Sequence, residues 1–247
     1  MQRQPSQIRQ AQIKKAVLDI ISEEGLHSIS SRNVAKRVGI TDGAIFRHFK
    51  SKREIRSSER IYVDAGMAMT GVKRGDLVLD IGFGTGNALT EFAEAVGESG
   101  HAFGVDLSDG MCRTASRKLE KASVAERVSI ACGDAALLPF VNESFDLVFM
   151  SFSLELFGTP EIPAVLGECK RVSKRGGAFC IVGLSRRGRR NAMTRIYDWA
   201  HAKFPRQIDC RPVPIRALVE DAGFEVKGVS ECSMWSLPVD VIVAGKD

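Results

Sequence analysis

The sequence predicts an α/β protein: a doubly wound, seven-stranded sheet preceded by a small all-α helix-turn-helix unit at the N-terminus. Three observations predict it. From residue 77 onward, short apolar runs alternate with amphipathic helical stretches, the pattern of parallel strands joined by crossover helices. Before that point the periodicity is helical only, broken by glycines. The charge divides near the same place. Residues 1–55 hold eleven Lys and Arg against five acids, a local +6, and the remaining residues sum to −1.

Between Ile8 and Glu24, Ile13, Ala16, Val17, Ile20 and Ile21 recur at helical spacing, and Gly25 follows where that helix ends. Ser30 or Ser31 caps a second helix with Val34, Ala35 and Val38 facing inward, and Gly39 stops it. Thr41 caps a third, running to about Phe49. Three short helices with a tight glycine-containing turn before the last are the helix-turn-helix pattern. The run "ISSRNVAKRVGITDGAIFRHFKSKREI" resembles the TetR-family DNA-binding domain, over about residues 6–56, with Gly43, Ala44, Phe46, His48, Phe49, Ser51 and Lys52 in the family's places. The resemblance implies duplex DNA as a partner and a homodimer, since such modules read palindromes in pairs. It implies that Gly43 and Ala44 approach bases, that Arg32 and Arg47 approach bases or phosphates, and that Thr41, His48 and Lys52 hold phosphates. Phe46 stands where the family usually has Tyr, so one hydroxyl-to-phosphate contact is missing. The helical effector domain that follows in such repressors is also missing.

A helical connector, residues 57–72, leads into the larger unit, and the expected domains are 1–56 and 57–247. Five apolar runs, 77–81, 101–107, 128–134, 145–152 and 177–184, suit buried parallel strands. Helical stretches such as "ALTEFAEAV" and "IPAVLGECKRVS" lie between them. After a last helix at "IRALVEDAG", two further runs sit close enough to pair as an antiparallel hairpin.

A sheet of this kind binds its ligand beyond the carboxyl ends of its strands. Gly82, Gly84 and Gly86 follow the first strand, where missing side chains let a ligand approach the backbone. Asn87 occupies the third-glycine place of a dinucleotide fingerprint, which disfavours a diphosphate cofactor. Asp80, just before the loop, also suits an amino group better than an anion. Asp106 ends the second strand, placed to accept from ribose hydroxyls. Asp134 ends the third, placed for an exocyclic amine, with Leu107 and Met111 as apolar cover for a ring. Amine, ribose and adenine without phosphate describe S-adenosyl-L-methionine (SAM). Residues of about 60–247 then resemble class I SAM-dependent methyltransferases, of the ubiquinone/menaquinone-biosynthesis C-methyltransferase type. The motifs that carry this are "VLDIGFGTG", "GVDLSDGM", "GDAALLPFVNESFDLVFMSFSLEL" and "ECKRVSKRGGAFCIVG". Carried over by position, the resemblance adds Thr85, Ala135 and Ser151 to the cofactor site.

Methyl transfer is chiefly a matter of placing two reactants, so no dedicated nucleophile is required. His201 is the one candidate base near the acceptor side. Segment 185–216 combines arginines with Tyr197, Trp199 and Phe204, which suits a small-molecule or lipid-like acceptor. A second reading is a transcriptional regulator that uses the methyltransferase fold as a SAM-sensing effector domain. Methylation of DNA itself is disfavoured: "SFSLEL" follows the fourth strand where an Asn/Asp-Pro-Pro-aromatic tetrad would stand, and the chain has no Pro-Cys dipeptide. No apolar run is long enough to span a membrane and the first ten residues lack a signal-peptide core, so the expectation is cytoplasmic. Six cysteines without Cys-x-x-Cys or His partners predict reduced, mostly buried thiols and no metal site.

Overall fold

The computed structural model describes residues 31–40, 52–186, 212–234 and 237–246, together with Gln12, Ala16 and Asp19. Seven strands form one sheet in the order β3-β2-β1-β4-β5-β7-β6. They are β1 (Leu77–Ile81), β2 (His101–Asp106), β3 (Val128–Cys132), β4 (Phe145–Ser151), β5 (Ser173–Leu184), β6 (Glu225–Met234) and β7 (Leu237–Gly245). The first five pair in parallel, and β7 inserts antiparallel between β5 and β6. The strand order reverses at β1, between β2 and β4, and this switch point is where the fold leaves a crevice.

Six helices are described: α1 (Ser31–Val38), α2 (Lys52–Thr70), α3 (Asn87–Val96), α4 (Asp109–Lys121), α5 (Ile162–Val172) and α6 (Ile215–Asp221). α1 follows its sequence pattern: Val34 and Ala35 are buried, Val38 is half-buried, and Gly39 ends the helix at φ 71°. Ala16, one of the inward positions expected upstream, is buried as well. Because the central strands are covered on both faces, their alternate residues feed two separate cores. One face carries Val78, Phe149, Cys180 and Val182 against Tyr62 of α2, Leu89 and Phe92 of α3 and Ala115 of α4. The other carries Leu79, Ile81, Val148 and Ile181 against Val165 and Leu166 of α5 and Val219 of α6.

Two elements differ from the sequence pattern. β5 starts at Ser173 instead of residue 177: Ser173 pairs with Phe145, and the register then jumps so that Leu147 faces Ala178. The Lys-Arg-Gly-Gly stretch, which reads as a turn, is accommodated within the strand by that irregularity. The second is one of bounds only, since the helical character expected of the connector is borne out. The expected connector is part of a nineteen-residue helix, α2, which runs unbroken through position 56 and packs on the sheet. A Cβ on Gly66 would lie 2.8 Å from Val182 Cγ2, 3.2 Å from Cys180 Sγ and 3.3 Å from Phe149 Cε2. Cys180 Sγ also donates to the Gly66 carbonyl at 3.7 Å, and the Tyr62 hydroxyl donates to the Ser233 carbonyl at 2.8 Å.

Replacing Gly66 by Val puts branched bulk against stiff, fully buried neighbours. The gain in helix propensity is at most about 1 kcal/mol, while overpacking costs about 1–3 kcal/mol. A net loss of about 1–2 kcal/mol is expected for Gly66→Val. Urea denaturation checks it: the midpoint falls, with the slope unchanged.

Candidate cofactor and acceptor site

The switch point opens into a cavity of about 530 Å³, within the size range of small-molecule sites. Its floor is the turn after β1. Gly82, Gly84 and Gly86 have φ of 70°, 54° and 73°, the left-handed region that a side chain resists. Space is a second constraint at Gly82, where a Cβ would stand 2.5 Å from the Cβ of Ser153. That close approach lets the loop after β4 seal one side, and Ser153 Oγ donates to the Ile81 carbonyl at 3.1 Å.

Three carboxylates meet here in three different states. Asp80, on β1, is 1% exposed, and neither oxygen has a hydrogen-bond partner among the described residues. Burial, and then the Asp106 carboxylate near it, push its carboxyl up to about 8. Asp106, at the end of β2, is held on both oxygens. Gly84 N–H donates to Oδ2 at 2.8 Å and Ser108 N–H to Oδ1 at 2.9 Å, which fixes its rotamer and leaves a further lone pair on each. Asp134 is exposed at the rim, its Oδ1 taken by Ala136 N–H at 2.9 Å.

The structure brings nine of the eleven expected cofactor residues to the cavity wall: Gly82, Gly84, Thr85, Asp106, Leu107, Met111, Asp134, Ala135 and Ser151. The other two lie behind it. Asp80 sits beneath the turn, and Gly86 begins α3, where a Cβ would be 3.0 Å from the Cβ of Ala115. Met111 is positioned by a cap: Ser108 starts α4, and its hydroxyl accepts from Met111 N–H at 3.3 Å.

The apolar end of the cavity was not anticipated. Phe152, Leu156 and Phe157 follow β4, and Val63 comes from α2. Phe152 adopts φ 48°, a costly conformation for a bulky residue. Its amide donates to the Val182 carbonyl at 2.7 Å, and its ring meets Tyr62 of α2 edge-on at 6.4 Å. Arg60 of α2 also lines the cavity, paired with Glu91 of α3 and with Asp64 at 3.6 Å. Of these, the only sequence signal was the "SFSLEL" string beside Ser151. Nothing local marks residues of α2 as facing a loop ninety positions away.

Of the expected DNA contacts, Thr41, Gly43, Ala44, Arg47 and His48 lie outside the described residues. Arg32 falls within α1 and Lys52 begins α2, and only their backbones are described. The candidate base His201, and segment 187–211 of the expected acceptor region, lie outside the described residues too. Among the described residues, no helix is long and apolar enough to cross a membrane.

Comparison with known proteins agrees with this geometry. Residues 78–177 match the profile of a methyltransferase domain, and residues 13–58 match that of bacterial regulatory proteins of the tetR family. The ubiquinone/menaquinone biosynthesis C-methyltransferase UbiE of Teredinibacter turnerae is 27% identical over 176 residues, 70% of each chain. A demethylmenaquinone methyltransferase of Lactobacillus johnsonii is 35% identical over 114 residues, 46% of each. Among solved structures, a SAM-dependent methyltransferase from Aquifex aeolicus superposes with a TM-score of 0.57 at 21% identity, covering 82% of this chain and 96% of that one. The [4+2]-cyclase SpnF superposes at 0.62 with 18% identity, covering 77% and 82%. At such identities these likenesses speak for the fold.

The state of Asp80 has a thermodynamic consequence. Its carboxyl is raised from near 3.8 to about 8 in the folded chain. A raised acid favours the folded state most at low pH, and that contribution is lost as pH climbs from about 4 through about 8. Asp80→Asn removes the loss. The ligand-free variant is expected to gain several kcal/mol, at most about 5, at pH 8 and almost nothing at pH 4. Thermal or urea melts at the two pH values measure it.

Proposed function

We propose that this chain, which belongs to the SAM-dependent methyltransferases and carries a tetR-family segment at its amino terminus, methylates a small, apolar, aromatic acceptor. The observation that carries the reading is Asp106. Two backbone N–H groups orient its carboxylate before any ligand arrives, at the wall of a cavity with one polar and one apolar end.

The residues fit the cofactor group by group. Asp106 accepts from the ribose hydroxyls with its remaining lone pairs. Asp134 accepts from the exocyclic amine of adenine with the oxygen that Ala136 leaves open, and Leu107, Met111 and Ala135 cover the ring. Asp80, a buried carboxylate behind the turn of glycines, gives that end of the site the sign of charge that suits an amino-acid ammonium group. Thr85 and Ser151 complete the polar wall. When bound, SAM supplies an electrophilic methyl group on sulfur. The chain's own residues hold the acceptor against it and keep water out, a role that suits Val63, Phe152, Leu156 and Phe157. The relatives named for demethylmenaquinone and for ubiquinone/menaquinone biosynthesis point to a phenolic or quinol ring as the acceptor class.

A second reading, a regulator that senses SAM, is favoured by α2. Its first residues fall inside the tetR-family match, and its Arg60 and Val63 line the cavity. Incubation with methyl-labelled SAM and a panel of quinols, phenols, phospholipids and nucleic acids separates the two. Label in a quinol or phenol supports the enzyme, while SAM binding without transfer to any acceptor supports the sensor.

Two further outcomes are expected. Asp106→Ala loses a carboxylate that serves both the turn and the ribose, worth about 1.5–3 kcal/mol, so SAM affinity falls by roughly 10- to 100-fold in calorimetry. Unchanged affinity removes Asp106 from the site. The full chain is also expected to bind duplex DNA with steep salt dependence, through the basic N-terminal segment. Anisotropy titrations across a salt series measure the slope, and no binding at low salt leaves the tetR-type segment without a DNA role.

A further inference from the structure

Two thiols that the cofactor reading does not use stand together behind the cavity wall. Cys112 lies in the first turn of α4, and Cys132 is the last residue of β3, in register with Asp106 on β2. Along β3, Val128 and Ile130 pack into the core shared with α4, and Ala131 packs on the opposite face. That alternation turns the Cys132 side chain toward α4. From the helix, Cys112 Sγ reaches to 3.9 Å from the Asp106 carbonyl and 3.9 Å from the Ala131 carbonyl, the peptide that leads into Cys132. Cys132 Sγ lies 3.5 Å from the Leu107 carbonyl. Both sulfurs are thus anchored to the same short pieces of backbone, 106–107 and 131–132. Cys132 is exposed and Cys112 buried, so Cys132 is the exception among described thiols that are otherwise buried as expected. Burial, and then the neighbouring Cys132 thiol, push Cys112 up to about 11. Cys169, Cys180 and Cys232 are buried in the two cores.

We propose that Cys112 and Cys132 are a reversible oxidation site, a dithiol that a hydroperoxide converts to an intramolecular disulfide and that thereby weakens the cavity's hold on SAM. The accessible Cys132 sulfur, as thiolate, attacks the peroxide. The O–O bond breaks, leaving a sulfenic acid on Cys132 and, with one proton, a molecule of water or alcohol. The Cys112 sulfur then attacks the sulfenic sulfur, the S–S bond forms, the S–O bond breaks, and the hydroxyl leaves as water with the Cys112 proton. Two electrons pass from the pair to the peroxide, and a small dithiol returns them by exchange.

The effect on the cavity follows from the backbone that both sulfurs hold. A disulfide brings the two Cβ atoms to about 3.8 Å and removes the thiol contacts to the carbonyls of residues 106, 107 and 131. The first turn of α4 is drawn toward β3 and carries Ser108 and Met111 with it. Ser108 N–H is one of the two donors that orient Asp106. This consequence rests on the assignment of Asp106, Leu107 and Met111 to the cofactor.

The experiment uses the full chain, reduced and then treated with stoichiometric hydrogen peroxide. Free thiols are alkylated and a non-reducing peptide map is read by mass, while calorimetry follows SAM binding to reduced, oxidised and re-reduced protein. The expected map links 112 to 132 with a loss of two hydrogens. Oxidised protein is expected to bind SAM at least about tenfold more weakly, with recovery on dithiothreitol. Cys112→Ser and Cys132→Ser should each bind SAM as the reduced protein does and no longer respond to peroxide. A link through any other cysteine, irreversible oxidation without a link, or a 112–132 link with unchanged affinity overturns the proposal and leaves the cofactor assignment standing. Reduced protein that does not bind SAM overturns both.

Discussion

The contact on which this molecule depends is the meeting of the turn after β1 with the loop after β4. Gly82 carries no Cβ because the Cβ of Ser153 would lie 2.5 Å from it, and Ser153 in turn donates to the Ile81 carbonyl. The same turn then presents Gly84 N–H to Asp106 on β2. Three neighbouring strands are thereby tied together at their carboxyl ends by one short stretch of left-handed backbone. The crevice that the fold leaves at its switch point acquires a floor, a side and a fixed acceptor from that one arrangement.

The electrostatics of the crevice follow from how deep each carboxylate lies. Asp134 is at the rim and solvated, and Asp106 is half-buried but accepts two backbone donors. Asp80 is buried with neither oxygen partnered and has Asp106 close by, so its charged form is strongly disfavoured. An arrangement that stores such an unsatisfied group is costly in the free chain. A cationic group held close to it would offset part of that cost through charge attraction.

Helix α2 gives the chain its unusual construction. A helix that begins within the tetR-family match ends packed on the sheet, with Gly66 against Val182 and Tyr62 bonded to the Ser233 carbonyl. Between those points it supplies Arg60 and Val63 to the cavity. Tyr62 also meets the ring of Phe152, the residue that takes a left-handed conformation at the apolar end. The helix that links the two parts of the sequence therefore also forms part of the cavity wall.

What the sequence determined by itself was whatever is local. Runs of apolar residues marked all seven strands, the glycines marked the turn, and the acids ending β2 and β3 marked the polar half of the cavity, because period and backbone conformation are written in neighbouring residues. The inward face of α1 was legible for the same reason, in Val34 and Ala35. Tertiary structure decided the rest. It packed the helical connector on the sheet, turned Phe152 into a left-handed wall, buried Asp80 near Asp106 and set Cys112 beside Cys132. Each depends on residues from twenty to more than a hundred positions apart. Such contacts are fixed by how helices cross the sheet and how closely cores pack, and neither leaves a periodic signal in the chain.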